Sequence, residues 1–136
     1  MTATLVDSSV LLDIFEDDPR WGDWSQDALE KESRLEQLFI NPVIYAEVSI
    51  AFQRIEELED AIQVCGLKMT EIPREALFLS GKAFMAYKRM GGSRSTPLPD
   101  FFIGAHAAVA SFKLLTRDPR RVRRYFPTVK LISPSA

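Results

Sequence analysis

Short strand-like segments alternate with helix-like segments along the whole chain, and this alternation restricts the fold more than any other feature. Strands that are separated by helices are expected to pair in parallel, with the helices covering the sheet. The sequence therefore predicts an α/β fold with a short, mostly parallel sheet. The predicted strands are Ala3–Val6 and residues 38–40, 68–72, 114–116 and 129–132, of which 68–72 is expected at an edge.

Helical signals fill the segments between these strands. The first predicted helix follows Asp7 and Ser8, which are cap candidates, and carries apolar residues at positions 10, 11, 14 and 15. Asn41 is expected to cap a later helix, with Pro42 in the first turn, where its missing N–H costs nothing. The other predicted helices cover residues 25–37, 56–65, 73–90 and 100–113, and a short basic helix ends at Tyr125. Glycine, serine and proline mark residues 91–99 as a loop.

The size of the chain predicts a single domain over residues 1–136. With 136 residues, of which 46% are hydrophobic, the chain can bury one core and is too short for two ordinary domains. The apolar run at 101–110 is shorter than the roughly 20 residues that span a bilayer, and no basic segment precedes an apolar stretch at the N-terminus. We therefore expect a soluble, cytoplasmic protein without membrane contact. A single cysteine, Cys65, excludes an internal disulfide and a CxxC motif.

Four carboxylates occupy positions that suggest a shared site: Asp7, Glu47, Asp100 and Asp118. Asp7 and Asp118 follow predicted strands, and Asp100 begins a predicted helix. Ligands of parallel sheets collect at the carboxyl ends of strands, where helix N-termini also point. Two unit charges about 4 Å apart repel by roughly 4 kcal/mol at an effective dielectric of 20, so a close cluster stays ionised only around a cation. Oxygen ligands favour Mg²⁺ or Mn²⁺ over zinc.

Each of the three aspartates has a simpler interpretation, because aspartate before a helix is usually an N-cap. Glu47 does not. Its helical neighbours are apolar, so the carboxylate is expected on a buried face without an i+4 partner. Burying an unpaired charge costs several kcal/mol, which requires a bound cation or a raised pKa. Glu47 is therefore the residue that favours a metal site over a set of caps.

Charge is divided unevenly between the two halves of the chain. Residues 1–62 hold 15 acids and 4 bases, whereas residues 63–136 hold 4 acids and 13 bases. The basic half surrounds Asp118 with arginines, and an acidic site bordered by arginines suits the cleavage of a polyanion. The candidate substrate-binding residues are Arg117, Arg120, Arg121 and Arg124. A solvated helix face explains residues 120–124 almost as well. The loop at 91–97 is a further candidate substrate contact or an ordinary connector.

Four segments carry a resemblance to a known family. They read LVDSSVLL at 5–12, NPVIYAE at 41–47, PDFFIGAHA at 99–107 and LTRD at 115–118. In this order and spacing they resemble PIN-domain ribonucleases, and within that family the VapC toxins of bacterial toxin-antitoxin pairs. The four carboxylates match the family's metal-binding acids, and Ser9 and Thr116 match its supporting hydroxyls. The resemblance implies a three-layer α/β/α sandwich.

The resemblance also implies a function and partners. A VapC-type protein would be an endoribonuclease dependent on Mg²⁺ or Mn²⁺, acting on cellular RNA such as tRNA or rRNA. It would form a homodimer and be inhibited by a cognate VapB-type antitoxin. A different class remains open, namely a non-catalytic RNA- or protein-binding module that keeps the acids only as caps. A phosphoryl-accepting signalling domain is poorly supported, since Arg117 and Asp118 stand where its downstream lysine is required.

Overall fold

A computed structural model describes residues 3–92 and 98–134 of the chain. Those residues contain five strands and seven α-helices, with one or two helices between successive strands. The strands are β1 (Ala3–Val6), β2 (Gln37–Ile40), β3 (Leu67–Met69), β4 (Lys113–Leu115) and β5 (Leu131–Ile132). The helices are α1 (Ser8–Phe15), α2 (Gly22–Leu35), α3 (Pro42–Val48), α4 (Ile55–Val64), α5 (Arg74–Arg89), α6 (Leu98–Ala110) and α7 (Arg120–Tyr125), and a 3₁₀ turn, Ser49–Ala51, follows α3.

The five strands form one sheet in the order β3-β2-β1-β4-β5. Every pairing is parallel, so the sheet is parallel throughout rather than mostly parallel. Leu5 at the centre pairs with Phe39 on one side and Leu114 on the other. The chain moves outward through β2 and β3, then crosses back to β4 and β5. Because such connections are right-handed, this reversal places helices on both faces and confirms the three-layer α/β/α fold.

Burial of both sheet faces explains the uninterrupted apolar character of the central strands. Leu5, Val6, Leu114 and Leu115 are at most 1% exposed. Strands covered on both sides read as continuous hydrophobic runs, whereas half-exposed strands alternate. No helix in residues 3–92 and 98–134 combines the length and the apolar character needed to cross a membrane.

An aromatic cluster joins α5, α6 and α7 beneath the candidate site. Phe101 is fully buried at its centre, and four other rings lie 5.2–6.2 Å from it between centroids. Such edge-to-face pairs stabilise by about 0.5–1.5 kcal/mol each beyond their buried area. The surrounding rings belong to Phe84, Tyr87, Tyr125 and Phe126. Since Phe101 follows Asp100 directly, this packing also fixes Asp100 relative to α7.

Gly104 allows α6 to approach the segment after α7. A Cβ atom placed at this position would lie 2.5 Å from a ring carbon of Phe126, which is itself buried. No side chain fits there without moving the ring. Glycine at 104 therefore sets the spacing between the helix that carries Asp100 and the C-terminal end of α7.

Several predicted boundaries shift by a few residues for local reasons. The helix expected at 100–113 is α6, which begins at Leu98 and ends at Ala110 because Ser111 turns into the left-handed region with φ 58°. The helix expected at 25–37 is α2, Gly22–Leu35, and the final strand shortens to Leu131–Ile132. The Asn41 cap is confirmed, since its side chain accepts from the Ile44 N–H at 2.9 Å. Of the predicted loop, residues 93–97 lie outside the described residues.

An ion-pair cluster ties α2 to β4 at the end of the sheet opposite the candidate site. The Lys113 ammonium lies 2.8 Å from a Glu32 carboxylate oxygen and 3.1 Å from a Glu36 oxygen, and its side chain is only 14% exposed. The Thr4 hydroxyl also donates to Glu36 at 3.0 Å. Removing one member of a poorly hydrated cluster leaves the others uncompensated, so the lysine is a structural residue.

Candidate functional site

The carboxyl ends of β1 and β4 lie side by side at the point where the strand order reverses. In open parallel sheets this is the location at which ligands bind. Asp7 follows β1, and its N–H donates to the carbonyl oxygen of Leu115, the last residue of β4, at 2.9 Å. Thr116 comes directly after β4, and Asp118 follows two residues later. The pairing of the two central strands thus brings together residues more than 100 positions apart.

The Asp7 carboxylate is held by two hydroxyl groups. Its Oδ2 accepts a hydrogen bond from Ser9 Oγ at 2.7 Å and another from Thr116 Oγ1 at 2.8 Å. Each hydroxyl accepts in turn from the loop after β4, Ser9 from the Arg117 N–H at 3.2 Å and Thr116 from the Asp118 N–H at 3.1 Å. Asp7 occupies the N-cap position of α1 but makes no side-chain cap bond. Its carboxylate is therefore oriented by the site and not by the helix end.

Glu47 reaches the same region from α3. Its Oε1 accepts from Ser8 Oγ at 2.8 Å, and that hydroxyl also lies 3.5 Å from Asp7 Oδ1. Loss of hydration raises the pKa of Glu47, the Ser8 hydrogen bond opposes this, and the charges of Asp7 and Asp100 raise the pKa further. The side chain is half-buried rather than buried as expected, and its carboxylate is not unpaired, because Ser8 of α1 donates to it. Its carboxylate is close enough to Asp7 and Asp100 for their negative charges to act on it.

Asp100 lies in the first turn of α6, two residues after the helix begins, so it is not the N-cap. Burial raises its pKa, the charge of Asp7 raises it further, and Arg121 acts in the opposite direction. Arg121 Nη1 donates to Asp100 Oδ2 at 2.7 Å, with the two side chains 33% and 45% exposed. An arginine of the chain itself thus compensates part of the acidic charge.

Asp118 completes the acidic group from the loop before α7. Pro119 holds the N-cap position of that helix, so Asp118 does not cap it. Its side chain is 59% exposed and lies 3.4 Å from Arg120 Nε. Asp7, Asp100 and Asp118 line one cavity of about 20 Å³. A space of this size holds about one water molecule or one small ion. Its remaining lining residues are Ile103, Leu114, Thr116, Arg121 and Val122.

The chemistry of these ligands fits a magnesium or manganese ion. All donors are carboxylate or hydroxyl oxygens, which hard divalent cations prefer. Mg²⁺ usually binds through one or two carboxylates, and three carboxylates line the small cavity. Among residues 3–92 and 98–134, no three His, Cys, Asp or Glu side chains are arranged to hold one ion together. The three aspartates nevertheless line one cavity, and one of them, Asp100, is paired with Arg121.

Comparison with known proteins assigns the family. The PIN domain model matches residues 4–126. The chain belongs to the PIN domain family. No curated protein gives a significant match.

Similar solved structures cover almost the whole PIN domain. VapBC2 from Rickettsia felis, bound to a DNA fragment of its promoter, has 16% identity and a TM-score of 0.75, with 98% of this chain and 100% of the other covered. A toxin-antitoxin complex from Klebsiella pneumoniae has 20% identity and a TM-score of 0.69, with 97% and 98% covered. FitAcB from Neisseria gonorrhoeae has 18% identity and a TM-score of 0.70, with 95% and 96% covered. At these identities the likeness concerns the fold.

The candidate substrate-binding arginines of this PIN domain separate into two locations. Arg117 Nε donates to Asp13 Oδ2 at 2.7 Å, and its guanidinium lies 5.6 Å from the centre of the Trp21 ring. Asp13 is 3% exposed and also accepts from Ser25 Oγ at 2.8 Å. The buried carboxylate therefore fixes Arg117 against α1 and α2. The other three arginines, Arg120, Arg121 and Arg124, line a second and larger cavity beside the acidic one.

Sequence reasoning missed three residues of this region. Asp13 has the same signal as Glu47, an acid among the apolar positions of a helix, and the same argument identifies it. Tyr87 and Tyr125 line the larger cavity with the arginines. No local pattern marks them, because their position depends on how α5 and α7 pack against α6.

Proposed function

We propose that this PIN domain is a metal-dependent endoribonuclease of the VapC type, a toxin that a cognate VapB-type antitoxin neutralises. The observation that carries the proposal is the ion-sized cavity that Asp7, Asp100 and Asp118 line at the reversal point of the sheet. Glu47 adds a fourth carboxylate to the same field. Hydrolysis of phosphodiester bonds is the chemistry for which an acidic, oxygen-only site bordered by arginines is suited.

The four carboxylates would hold Mg²⁺ or Mn²⁺. When bound, the ion supplies a water of lowered pKa and neutralises charge that develops on the scissile phosphate. Ser9 and Thr116 keep Asp7 in one orientation, because each hydroxyl donates its hydrogen bond to that carboxylate. Ser8 does the same for Glu47. These hydroxyl groups would act as outer partners that orient the two carboxylates as metal ligands.

The arginines of α7 supply attraction for the RNA. Arg120 and Arg124 are exposed on the same side as the acidic cavity, where cations attract a polyanion over a distance. Arg120 also pairs with Asp118 at 3.4 Å, and both of those side chains are largely exposed. Arg117 is proposed as a weaker contributor, since its guanidinium is already bonded to Asp13. Cleavage of cellular RNA would require the protein to act in the cytoplasm.

Two partner surfaces support the toxin assignment. The acidic group would attract a cationic side chain of an antitoxin, and the Arg121–Asp100 hydrogen bond is an example of such a pair within the chain. Solved structures of the same fold are complexes named VapBC and FitAcB. For the homodimer, α5 presents exposed apolar side chains, with Phe78 69% and Met85 46% exposed. Apolar surface of this kind is typical of contacts between protein chains.

One observation favours the second candidate, a non-catalytic RNA- or protein-binding module. The Arg121–Asp100 ion pair neutralises part of the acidic group without a metal. In a binding module that pair would be permanent and the domain would have no affinity for divalent ions. In the nuclease the pair must open. Metal titration of the purified protein therefore separates the two functions.

The proposed function is tested by cleavage of total cellular RNA. Purified protein, freed of any bound inhibitor, is incubated with Mg²⁺, with Mn²⁺ or with EDTA. We expect discrete fragments that require metal and disappear with Asp7→Asn. Asp23→Asn, an exposed aspartate on α2, is the matched control and should cleave like the wild type. Cleavage that persists in Asp7→Asn, or a folded protein that neither cleaves RNA nor binds divalent ions, would contradict the proposal.

A further inference from the structure

A second cavity adjoins the acidic one and has a different chemical character. Its volume is about 390 Å³, within the range of small-ligand sites. Three arginines and one aspartate supply its charged lining, and two tyrosines supply its aromatic lining. The lining residues are Tyr87, Asp118, Arg120, Arg121, Arg124 and Tyr125. Positive charge predominates, in contrast to the smaller cavity.

Aromatic rings and guanidinium groups are paired in this cavity. The Arg121 guanidinium carbon lies 5.6 Å from the centre of the Tyr87 ring, and that of Arg124 lies 5.7 Å from the centre of the Tyr125 ring. The two rings meet edge to face, with centroids 6.3 Å apart. Tyr87 and Tyr125 also pack on Phe101, so the aromatic wall is rigid. Flat groups of this kind stack on nucleic-acid bases, and arginine planes do the same.

Asp118 and Arg121 belong to both cavities. A chain segment that occupies the larger cavity therefore passes directly to the acidic cluster across these two side chains. Arg121 bonds Asp100 on one side and lies near the Tyr87 ring on the other. Arg121 is therefore positioned to bind a phosphate that lies between the two cavities.

We propose that the larger cavity is a nucleotide subsite, which binds one base and one phosphate of single-stranded RNA next to the bond cleaved at the acidic cluster. This rests on the proposed function and names where its substrate is held. The base lies against the Tyr125 ring, because the Tyr87 ring is already stacked on Phe84, with centroids 6.2 Å apart, and lies near the Arg121 guanidinium. Arg120 and Arg124 bind the flanking phosphate. An acidic peptide would use the arginines equally well but gives no role to two rigid aromatic rings. The aromatic wall therefore favours a nucleotide.

Binding without cleavage tests the subsite. The probe is a fluorescein-labelled, single-stranded RNA hexamer in EDTA, titrated with the full chain and followed by anisotropy. Arg124→Gln removes a lining cation, and Arg123→Gln is a matched control, since Arg123 is the adjacent exposed arginine on α7 and does not line the cavity. We expect Arg124→Gln to weaken binding about tenfold and to reduce the slope of log K against log salt by about 0.7. We expect Arg123→Gln to change the affinity less than twofold.

A second pair of measurements tests the aromatic wall. Tyr125→Leu removes one ring, and a hexamer series with one abasic position at a time removes each base in turn. We expect about a tenfold loss for one abasic position in the wild type, and no further loss at that position in Tyr125→Leu. A thermal melt of each variant establishes that it is folded. If Tyr125→Leu does not fold, the subsite is still tested by the abasic series on the wild type and by the comparison of Arg124→Gln with Arg123→Gln.

The outcomes separate the subsite from the proposed function. The subsite is overturned, even where RNA is cleaved, if Arg123→Gln and Arg124→Gln weaken hexamer binding equally. It is also overturned if no abasic position changes the affinity for the hexamer. Competition by hexaglutamate with the same dependence on Arg124, and no dependence on bases, makes the cavity a site for acidic peptides and also overturns it. Base-dependent binding through Arg124 in a protein that never cleaves RNA supports the subsite and overturns the nuclease.

Discussion

Replacing Arg121 by glutamine should tighten divalent-metal binding, although it removes a residue that faces substrate. In the structure Arg121 donates to Asp100 at 2.7 Å and so competes with any cation for that carboxylate. The two side chains are 33% and 45% exposed, which leaves the pair partly screened by water. Ion pairs in this setting contribute up to about 1 kcal/mol. Since 1.4 kcal/mol is a factor of ten, we expect Mn²⁺ to bind roughly fivefold more tightly to Arg121→Gln.

Arg120→Gln is the control for the general effect of removing one positive charge. Arg120 Nε lies 3.4 Å from Asp118, and the two side chains are 87% and 59% exposed, so that pair contributes little. We expect a change below twofold. Isothermal titration with Mn²⁺ at pH 7 in the absence of RNA measures both variants. The rate of RNA cleavage should change in the opposite direction, so that Arg121→Gln cleaves more slowly than the wild type at saturating metal. Equal Mn²⁺ affinities for Arg121→Gln and wild type would refute the competition argument.

Further predictions concern the cluster and the scaffold. Asp100→Asn should abolish RNA cleavage yet melt within a few degrees of wild type in EDTA, because it relieves repulsion; retained cleavage would refute the assignment. The raised pKa of Glu47 means that its contribution to stability in EDTA is greatest at acid pH and is lost as pH rises through that pKa. The melting temperature of Glu47→Gln, measured between pH 4 and 8, should therefore rise relative to that of the wild type as pH increases. A difference in melting temperature that does not change with pH would contradict this. Gly104→Ala should cost about 1–3 kcal/mol in urea unfolding, because its Cβ meets Phe126, and a neutral result would disprove that packing. Lys113→Met should cost about 3–5 kcal/mol by leaving two poorly hydrated carboxylates, measurable in the same assay, where a loss below 1 kcal/mol would argue against a structural role.

Local sequence signals were sufficient for the elements and for the position of Asp7. The apolar strand followed by an aspartate and a helical pattern predicted β1 and the position of Asp7 at its carboxyl end. The hydroxyls of Ser9 and Thr116 were placed by resemblance, and the structure shows both bonded to Asp7. Short-range patterns succeed here because one strand and the turn after it determine where each side chain stands.

Contacts between distant elements were not predictable in the same way. Ser8 and Glu47 are 39 positions apart, and their hydrogen bond depends on how α1 packs against α3. Helical periodicity shows that Arg121 lies on α7 but not that it turns toward Asp100 rather than solvent. The end of α6 was misplaced because a serine adopts the left-handed conformation at 111, where glycine is the usual signal.

The hydrogen bond from Thr116 to Asp7 spans 109 positions of the chain, which has a consequence during translation. At about 5–20 residues per second, roughly 5 to 20 seconds pass between the synthesis of Asp7 and that of Thr116. Throughout that interval β1 has no β4 beside it, and Asp7 lacks one of its two hydroxyl partners. A nascent chain therefore carries its acids unassembled while it is still attached to the ribosome. For a protein proposed to cut RNA, this order of synthesis delays the assembly of the site until the last third of the domain has been made.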